Sequence, residues 1–227
     1  MKIALLHALP FDERLWEPQL AALADHELHT PRLYDLGSSM DEWALGVLQE
    51  VPGQFVVVGA SMGGYCGGAI ARLAPERLRA LVLTGSRADA DPADRRPVRD
   101  HWIQIARERG AEAFWEEVGR NFFSPAAEPA IVERGHQIVQ EQDPDGLVRA
   151  IEAIRDRPDS TEAVTSGIPL LIVHGEEDQG IPVQVARDLA ASAPHARIEV
   201  LEGCGHLPNM ERPEEFNRIL TSFLATV

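Results

Sequence analysis

Five short apolar runs recur along the chain, and apart from Glu199 in the last run their residues are continuously apolar rather than alternating with polar ones. These runs occupy residues 3–6, 55–58, 81–83, 170–173 and 198–201. Continuous runs of this length are typical of strands that are buried on both faces of a parallel sheet. A weaker run at residues 27–31 predicts an edge strand, which brings the expected sheet to about six strands.

Segments with a helical spacing of apolar residues separate these runs. They cover residues 16–24, 41–50, 64–73, 183–191 and 213–225. A strand, a helix and a further parallel strand form a right-handed crossover, and successive crossovers cover both faces of a sheet with helices. The pattern therefore predicts an α/β fold with an open, mostly parallel sheet.

The alternation of strands and helices stops between residues 88 and 164. This stretch contains no strand-like run and is rich in Arg, Glu, Ala and aromatic residues. Proline and glycine divide it into about four helical stretches, and a structureless connection of this length is unusual in a compact domain. We therefore predict a helical insertion at residues 88–164, the cap segment (or lid), within a core formed by residues 1–87 and 165–227.

The composition is that of an ordinary globular protein, with 44% hydrophobic and 25% charged residues among 227. The net charge of −15 argues against nucleic acid and against an anionic membrane surface as partners. No apolar run is long enough to span a bilayer, and the acidic Asp12 and Glu13 favour a first strand over a signal peptide. Cys66 and Cys204 fit reduced thiols, so a cytoplasmic location is expected. Monomer and homodimer remain equally open.

The segment VVVGASMGG places Ser61 in a G-x-S-x-G pattern between a predicted strand and a predicted helix. The pattern is weak by itself, but in this context it is typical of a nucleophilic serine on a sharp strand-to-helix turn. Gly59 and Gly63 would give the turn the room that it needs. The free N–H groups of the helix would face an anion formed at the serine. These features favour a nucleophile over turn filler.

A nucleophilic serine needs a base, and the base needs an acid that orients it. Asp178 and His206 each follow one of the last two apolar runs. Loops after the carboxyl ends of parallel strands meet at one edge of a sheet, so the three side chains can converge. Their order along the chain, serine, aspartate and then histidine, is typical of this arrangement. Glu176 and Glu177 are alternatives to Asp178.

Four segments together resemble the alpha/beta-hydrolase family, in particular its small capped esterases and lactonases. They are LLHALPFDERLWEPQ, VGASMGG, HGEEDQGIP and GCGHLPNMERPEEF. A fifth, LVLTGSRADADPADRR, is similar to the strand and cap entry of enol-lactonase-like and carboxylesterase-like members. The chain departs from the family in having His7-Ala8 where His-Gly is common, and in lacking two N-terminal strands. The resemblance implies an oxyanion hole formed by the backbone N–H groups of Leu9 and Met62, with His7 shaping the first loop through hydrogen bonds.

The substrate pocket is expected beneath the cap segment, with mainly apolar walls. Candidate residues for its walls are Phe11, Trp102, Trp115, Phe123 and Leu207. Any single aromatic residue of the cap segment nevertheless packs in a core more often than it contacts substrate. His174 and Asp178 have no third residue at metal-ligand spacing, so we expect no metal, and we expect no cofactor.

These features predict a serine hydrolase that cleaves a small or medium carboxylic ester or lactone through an acyl-enzyme. Ser61 would attack the carbonyl of a small-molecule substrate, His206 would transfer protons and Asp178 would orient the imidazole. Two alternatives remain open, since fold does not determine function. One is cleavage of a C–C or amide bond by the same triad, and the other is a hydrolase-fold signalling or binding protein with slow turnover.

Overall fold

The computed structural model describes residues 1–227, and its centre is one six-stranded sheet with parallel pairing throughout. The strands are β1 Lys2–Leu6, β2 Glu27–His29, β3 Phe55–Ala60, β4 Leu78–Thr84, β5 Leu170–Gly175 and β6 Arg197–Leu201. All residues of β3 and β5 are buried, as continuous apolar runs require. The predicted open α/β sheet is confirmed, with entirely rather than mostly parallel strands.

The spatial order of the strands, β2-β1-β3-β4-β5-β6, changes direction at β1. The chain moves outward from β1 to β2 and then returns to the other side of β1 as β3. A crevice opens at such a switch point, outside the carboxyl ends of the strands. Leu6 pairs with Gly59 across β1 and β3, so the loop after β1 and the turn after β3 begin side by side.

The same register argument applies to β5 and β6, where Gly175 pairs with Leu201. The loops that follow these two strands contain Asp178 and His206, and they therefore leave the sheet at the same level. Four segments that are distant in sequence thus meet along one edge of the sheet. This edge is where the predicted chemistry would have to take place.

Helices cover the sheet and fill the stretch between β4 and β5. They are α1 Glu17–Leu20, α2 Met40–Glu50, α3 Met62–Leu73, α4 Arg96–Val118, α5 Pro129–Gln140, α6 Pro144–Arg155, α7 Thr161–Val164, α8 Val183–Ser192, α9 Pro208–Glu211 and α10 Pro213–Leu224. None combines the length and the apolarity needed to cross a membrane. Between β4 and β5 the chain forms only helices, turns and bends, among them α4 to α7.

The helix expected at residues 16–24 is shorter than its apolar pattern suggests. Only one α-helical turn, α1, follows a 3₁₀ turn at Glu13–Trp16. Tertiary contacts explain the difference, because Trp16 is fully buried and the Gln19 amide donates a hydrogen bond to the Asn209 carbonyl at 3.0 Å. The chain therefore bends to suit its neighbours instead of extending the helix.

The helix α4 contains a break at Gly110, whose backbone has φ 77° and ψ −171°. A positive φ of this size interrupts helical geometry and is accessible mainly to glycine. The helix α4 therefore consists of two helical halves, and as a whole it packs against α5 and α6. The helix α3 begins at Met62, two residues before the predicted start, and Ser61 is its N-cap residue.

Candidate active site

Ser61 occupies a strained turn between β3 and α3. Its backbone has φ 46° and ψ −108°, and it is the one non-glycine residue with a positive φ. A Cβ on Gly63 would lie 2.0 Å from the Leu6 carbonyl oxygen, and a Cβ on Gly59 would lie 2.5 Å from the backbone of Gly63. Glycine is therefore required at both places so that β1, β3 and α3 can approach closely. Strain of this kind persists only where the surrounding structure enforces it.

Four hydrogen bonds hold the Ser61 backbone in this conformation. Its N–H donates to the Thr84 carbonyl at 2.9 Å. Its carbonyl accepts from the Ser86 hydroxyl at 2.8 Å and from the N–H groups of Gly64 and Tyr65 at 2.9 and 3.2 Å. No local sequence pattern reveals the role of Ser86, because its contact is with a turn 25 residues away.

His206 and Asp178 form a buried pair beside Ser61. The distance from His206 Nδ1 to Asp178 Oδ2 is 2.6 Å, and the two residues are 5% and 7% exposed. An ionised carboxylate only accepts hydrogen bonds, so Nδ1 carries the proton and Nε2 is left with its lone pair. Glu176 and Glu177 are exposed instead. The structure therefore brings the aspartate, rather than either glutamate, to the imidazole.

Further contacts fix Asp178 in its charged state. Its Oδ1 accepts hydrogen bonds from the N–H groups of Gly180 and Ile181 at 2.8 and 2.9 Å. Burial by itself would raise the pKa of Asp178, but the adjacent His206 and His174 imidazoles lower it, and the net pKa lies well below the ordinary value of a carboxyl group. Asp178 consequently remains an anion over the whole physiological pH range.

His174 is a second histidine beside this carboxylate. Its Nε2 donates to the Ile181 carbonyl at 2.8 Å and lies 3.2 Å from Asp178 Oδ2. From the sequence, the only role suggested for His174 is that of a metal ligand, for which a third ligand is missing. The spacing of four residues between a strand-end histidine and the acid is the signal that indicates this contact.

The loop after β1 is organised by the buried His7. Its Nε2 accepts a hydrogen bond from the Leu33 N–H at 3.0 Å, and its Nδ1–H donates to the Ala8 carbonyl at 3.2 Å. Burial lowers the pKa of His7 to about 4, so the ring is neutral. The Leu9 N–H makes no backbone hydrogen bond, and the Met62 N–H belongs to the first turn of α3, where helices leave such groups without an internal partner.

A cavity of about 120 Å³ lies at this edge of the sheet. Both Ser61 and His206 line it, together with Leu9. Side chains from the stretch between β4 and β5 form part of its wall, including Trp102 and Phe122. An apolar cavity of about 150 Å³ holds a benzene molecule, so this space suits a small organic group.

The structure brings one of the five expected pocket residues, Trp102, to the cavity wall. The other four pack elsewhere: Phe11 and Leu207 are fully buried, Trp115 stacks on the His136 ring with centroids 5.0 Å apart, and Phe123 packs against Trp115. Large apolar side chains near an active-site loop more often complete the core than face a ligand. Lining residues that sequence analysis missed are Tyr65, Arg95, Arg99, Val118, Asn121, Phe122, Ile154, Gln179, Gly180 and Ile181.

The chain also matches known proteins along most of its length. The family model described as the alpha/beta hydrolase family matches residues 3–219. The chain is 27% identical to the pimeloyl-(acyl-carrier protein) methyl ester esterase of Yersinia enterocolitica, over 97% of this chain and 92% of that protein. It is 26% identical to 3-oxoadipate enol-lactonase 2 of Acinetobacter baylyi, over 75% of this chain and 64% of the relative.

Solved structures give the same result. A thermophilic esterase from Thermogutta terrifontis superposes with a TM-score of 0.91 at 27% identity, covering 100% of this chain and 90% of the esterase. Fold, sequence pattern and the match over nearly the whole length therefore agree. The chain belongs to the alpha/beta hydrolase family.

Proposed function

We propose that this protein is a serine hydrolase that cleaves a small or medium carboxylic ester or lactone through an acyl-enzyme. The observation that carries the proposal is that the strained Ser61 and the His206 imidazole, which is paired with Asp178, line one cavity. A nucleophile, a base and an orienting acid in this relation define a triad by geometry, independently of their positions in the sequence.

In the first step, Ser61 Oγ attacks the carbonyl carbon while His206 Nε2 takes the hydroxyl proton. The ionised Asp178 stabilises the imidazolium that forms. The N–H groups of Leu9 and Met62 donate hydrogen bonds to the oxyanion, and removing one such donor typically costs about 10² to 10³ in rate. Ser61 and His206 are not hydrogen-bonded to each other in this structure, and catalytic contacts of this kind often tighten only when substrate binds.

In the second step, His206 Nε2 gives its proton to the leaving alcohol as the carbonyl–oxygen bond breaks. Water then loses a proton to His206 and attacks the acyl carbon, which releases the acid and restores the Ser61 hydroxyl. In a lactone the alcohol stays joined to the acyl group through the carbon chain of the ring, so this hydrolysis releases a single hydroxy acid. The chain's own residues account for every proton in both steps.

The cap segment, residues 88–164, acts as the lid that selects the substrate. Trp102 and Phe122 from this segment line the cavity above the nucleophile. The volume of about 120 Å³ supports a small acyl group, and the names of the esterase and lactonase relatives support an ester or lactone bond. Cys66 and Cys204 are buried and unpaired, which fits the reducing cytoplasm that we propose as the location.

Replacing the nucleophile tests this proposal. We expect Ser61→Ala to lower kcat on p-nitrophenyl acetate and butyrate by about 10⁴ or more, since the triad acts as a unit. Ser192→Ala, which changes an exposed serine on α8, is the control and should keep the wild-type rate. A fluorophosphonate probe should label the wild type at Ser61 alone. If Ser61→Ala keeps more than a tenth of the wild-type rate, the assignment of the nucleophile is wrong.

A further inference from the structure

The cavity beside Ser61 is lined by two arginines, Arg95 and Arg99, and by no acidic side chain. This local charge is opposite in sign to that of the whole protein, which has 36 acidic and 21 basic residues. Charged groups in a partly enclosed site interact more strongly with a ligand than the same groups on an open surface. The charged side chains that line the cavity are therefore all positive, which favours a ligand of negative charge.

Arg95 has no anionic partner within the protein. It is half-buried and stands at the N-terminal end of α4. Its guanidinium makes a single hydrogen bond, from Nη1 to the Gly180 carbonyl at 3.3 Å. Gly180 also donates its N–H to Asp178, so Arg95 lies directly beside the loop that holds the proposed acid. Most of its donors remain available to a ligand.

Arg99 belongs to a buried cluster that retains a positive charge. Its Nε and Nη2 each lie 3.0 Å from the Asp91 carboxylate, and Arg157 Nη1 lies 2.8 Å from the same group. The side chains of Arg99, Asp91 and Arg157 are 8%, 3% and 2% exposed. Two guanidinium groups thus share one carboxylate, which leaves the cluster with a net positive charge. The Arg99 guanidinium also lies over the Trp102 ring, with its Cζ 4.7 Å from the ring centroid.

The start of α4 reinforces this charge. Helices favour acidic residues in the first turn because their N-terminal end carries a partial positive charge. Here Arg95 occupies the N-cap position without making a side-chain capping hydrogen bond, Arg96 begins the helix, and the first turn contains no acidic residue. Arg96 is paired with Asp156 at 3.3 Å, which leaves Arg95 uncompensated. Local rules are broken in this way mainly at functional sites.

We propose that the substrate of this hydrolase carries a carboxylate, which Arg95 binds while the charge of Arg99 supports it. A guanidinium matches the planar geometry of a carboxylate and binds it with two parallel hydrogen bonds. Because the cavity is only about 120 Å³, few carbon atoms separate this carboxylate from the carbonyl attacked by Ser61. The placement of the scissile carbonyl at Ser61 rests on the proposed function. The binding of a carboxylate by Arg95 does not depend on it.

Two esters of the same shape test the specificity. Monomethyl succinate carries a carboxylate where methyl 4-methylpentanoate carries an isopropyl group. We expect wild type to have a higher kcat/KM on monomethyl succinate, and Arg95→Gln to lower the ratio of the two values at least about tenfold, the loss expected for a charged hydrogen bond. The control, Arg96→Gln, changes an exposed arginine of the same turn that does not line the cavity, and it should keep the wild-type ratio.

Binding of free succinate to the Ser61→Ala protein, measured by calorimetry, separates the two proposals. We expect binding that weakens at least about tenfold in Ser61→Ala/Arg95→Gln and persists in Ser61→Ala/Arg96→Gln. If succinate does not bind, or if Arg95→Gln leaves both the binding and the ester ratio unchanged, the carboxylate site is refuted and the ester hydrolase stands. If succinate binds through Arg95 but no ester is cleaved, the site stands and the hydrolase proposal fails.

Discussion

Single residues at the sheet edge have protonation states that their hydrogen bonds dictate. His7 is the sharpest case, because both of its ring nitrogens are already used by backbone groups. A second proton would have to sit on Nε2, where it would point at the Leu33 N–H, which is a donor and not an acceptor. His7 therefore shapes the loop that carries Leu9 as a neutral ring, and it cannot move protons without breaking that loop.

This state of His7 predicts how stability depends on pH. The unfolded chain takes up the proton near pH 6.5, whereas the folded chain takes it up only near pH 4. The contribution of His7 to the free energy of unfolding is therefore constant above pH 6.5. As the pH drops from 6.5 to 4, the free energy of unfolding falls by up to about 3 kcal/mol because of this residue. Urea titrations across this range should show a smaller loss for His7→Gln than for wild type. His195→Gln, at an exposed histidine, should follow wild type, and parallel curves for all three would contradict this account.

At the scale of elements, the close packing of β1, β3 and α3 produces the turn that carries Ser61. Ordinary strand and helix propensities do not create a strained serine. The register that pairs Leu6 with Gly59 brings the first turn of α3 against the end of β1. Gly63 is the point of contact, so the strain at Ser61 and the packing of α3 depend on the same residue.

We expect Gly63→Ala to lower the free energy of unfolding by about 1 to 3 kcal/mol, the usual cost of overpacking. The added Cβ would meet the Leu6 backbone, which cannot move without displacing β1. Gly146→Ala is the matched control in the first turn of α6, where the nearest atoms are 3.6 Å from the new Cβ. It should be neutral or slightly stabilising. Equal stability of the two variants in urea titrations would show that the close approach of α3 to β1 is unimportant.

For the molecule as a whole, the proposed function implies that substrate size is set where the cap segment meets the sheet edge. We predict that kcat/KM across p-nitrophenyl esters from acetyl to palmitoyl is highest for a short or medium acyl group. One methylene in a fitted pocket changes the transition-state energy by about 1 to 3 kcal/mol. Trp102→Ala should move the optimum to longer chains because Trp102 lines the cavity. Trp115→Ala, which removes a ring stacked on His136, should leave it in place. A wild-type preference for palmitoyl esters would contradict this account of the cavity.

The sequence by itself determined the α/β class, the six strands and the helical nature of residues 88–164. These follow from apolar periodicity and from glycine and proline, which act over short distances along the chain. The sequence also predicted the glycine-rich turn around Ser61. It predicted the convergence of Asp178 and His206 on this turn, because loops that follow parallel strands all lie at one edge of the sheet.

Only the tertiary structure decided which side chains meet. Phe11, Trp115, Phe123 and Leu207 are as apolar as Trp102, yet of the five only Trp102 reaches the cavity. In the same way, neither the contact of Ser86 with the Ser61 carbonyl nor the lack of a partner for Arg95 is visible in any local pattern. Apolar periodicity determines which face of a helix or strand points toward the interior. Whether that face meets packed core or a cavity depends on how distant elements pack against it.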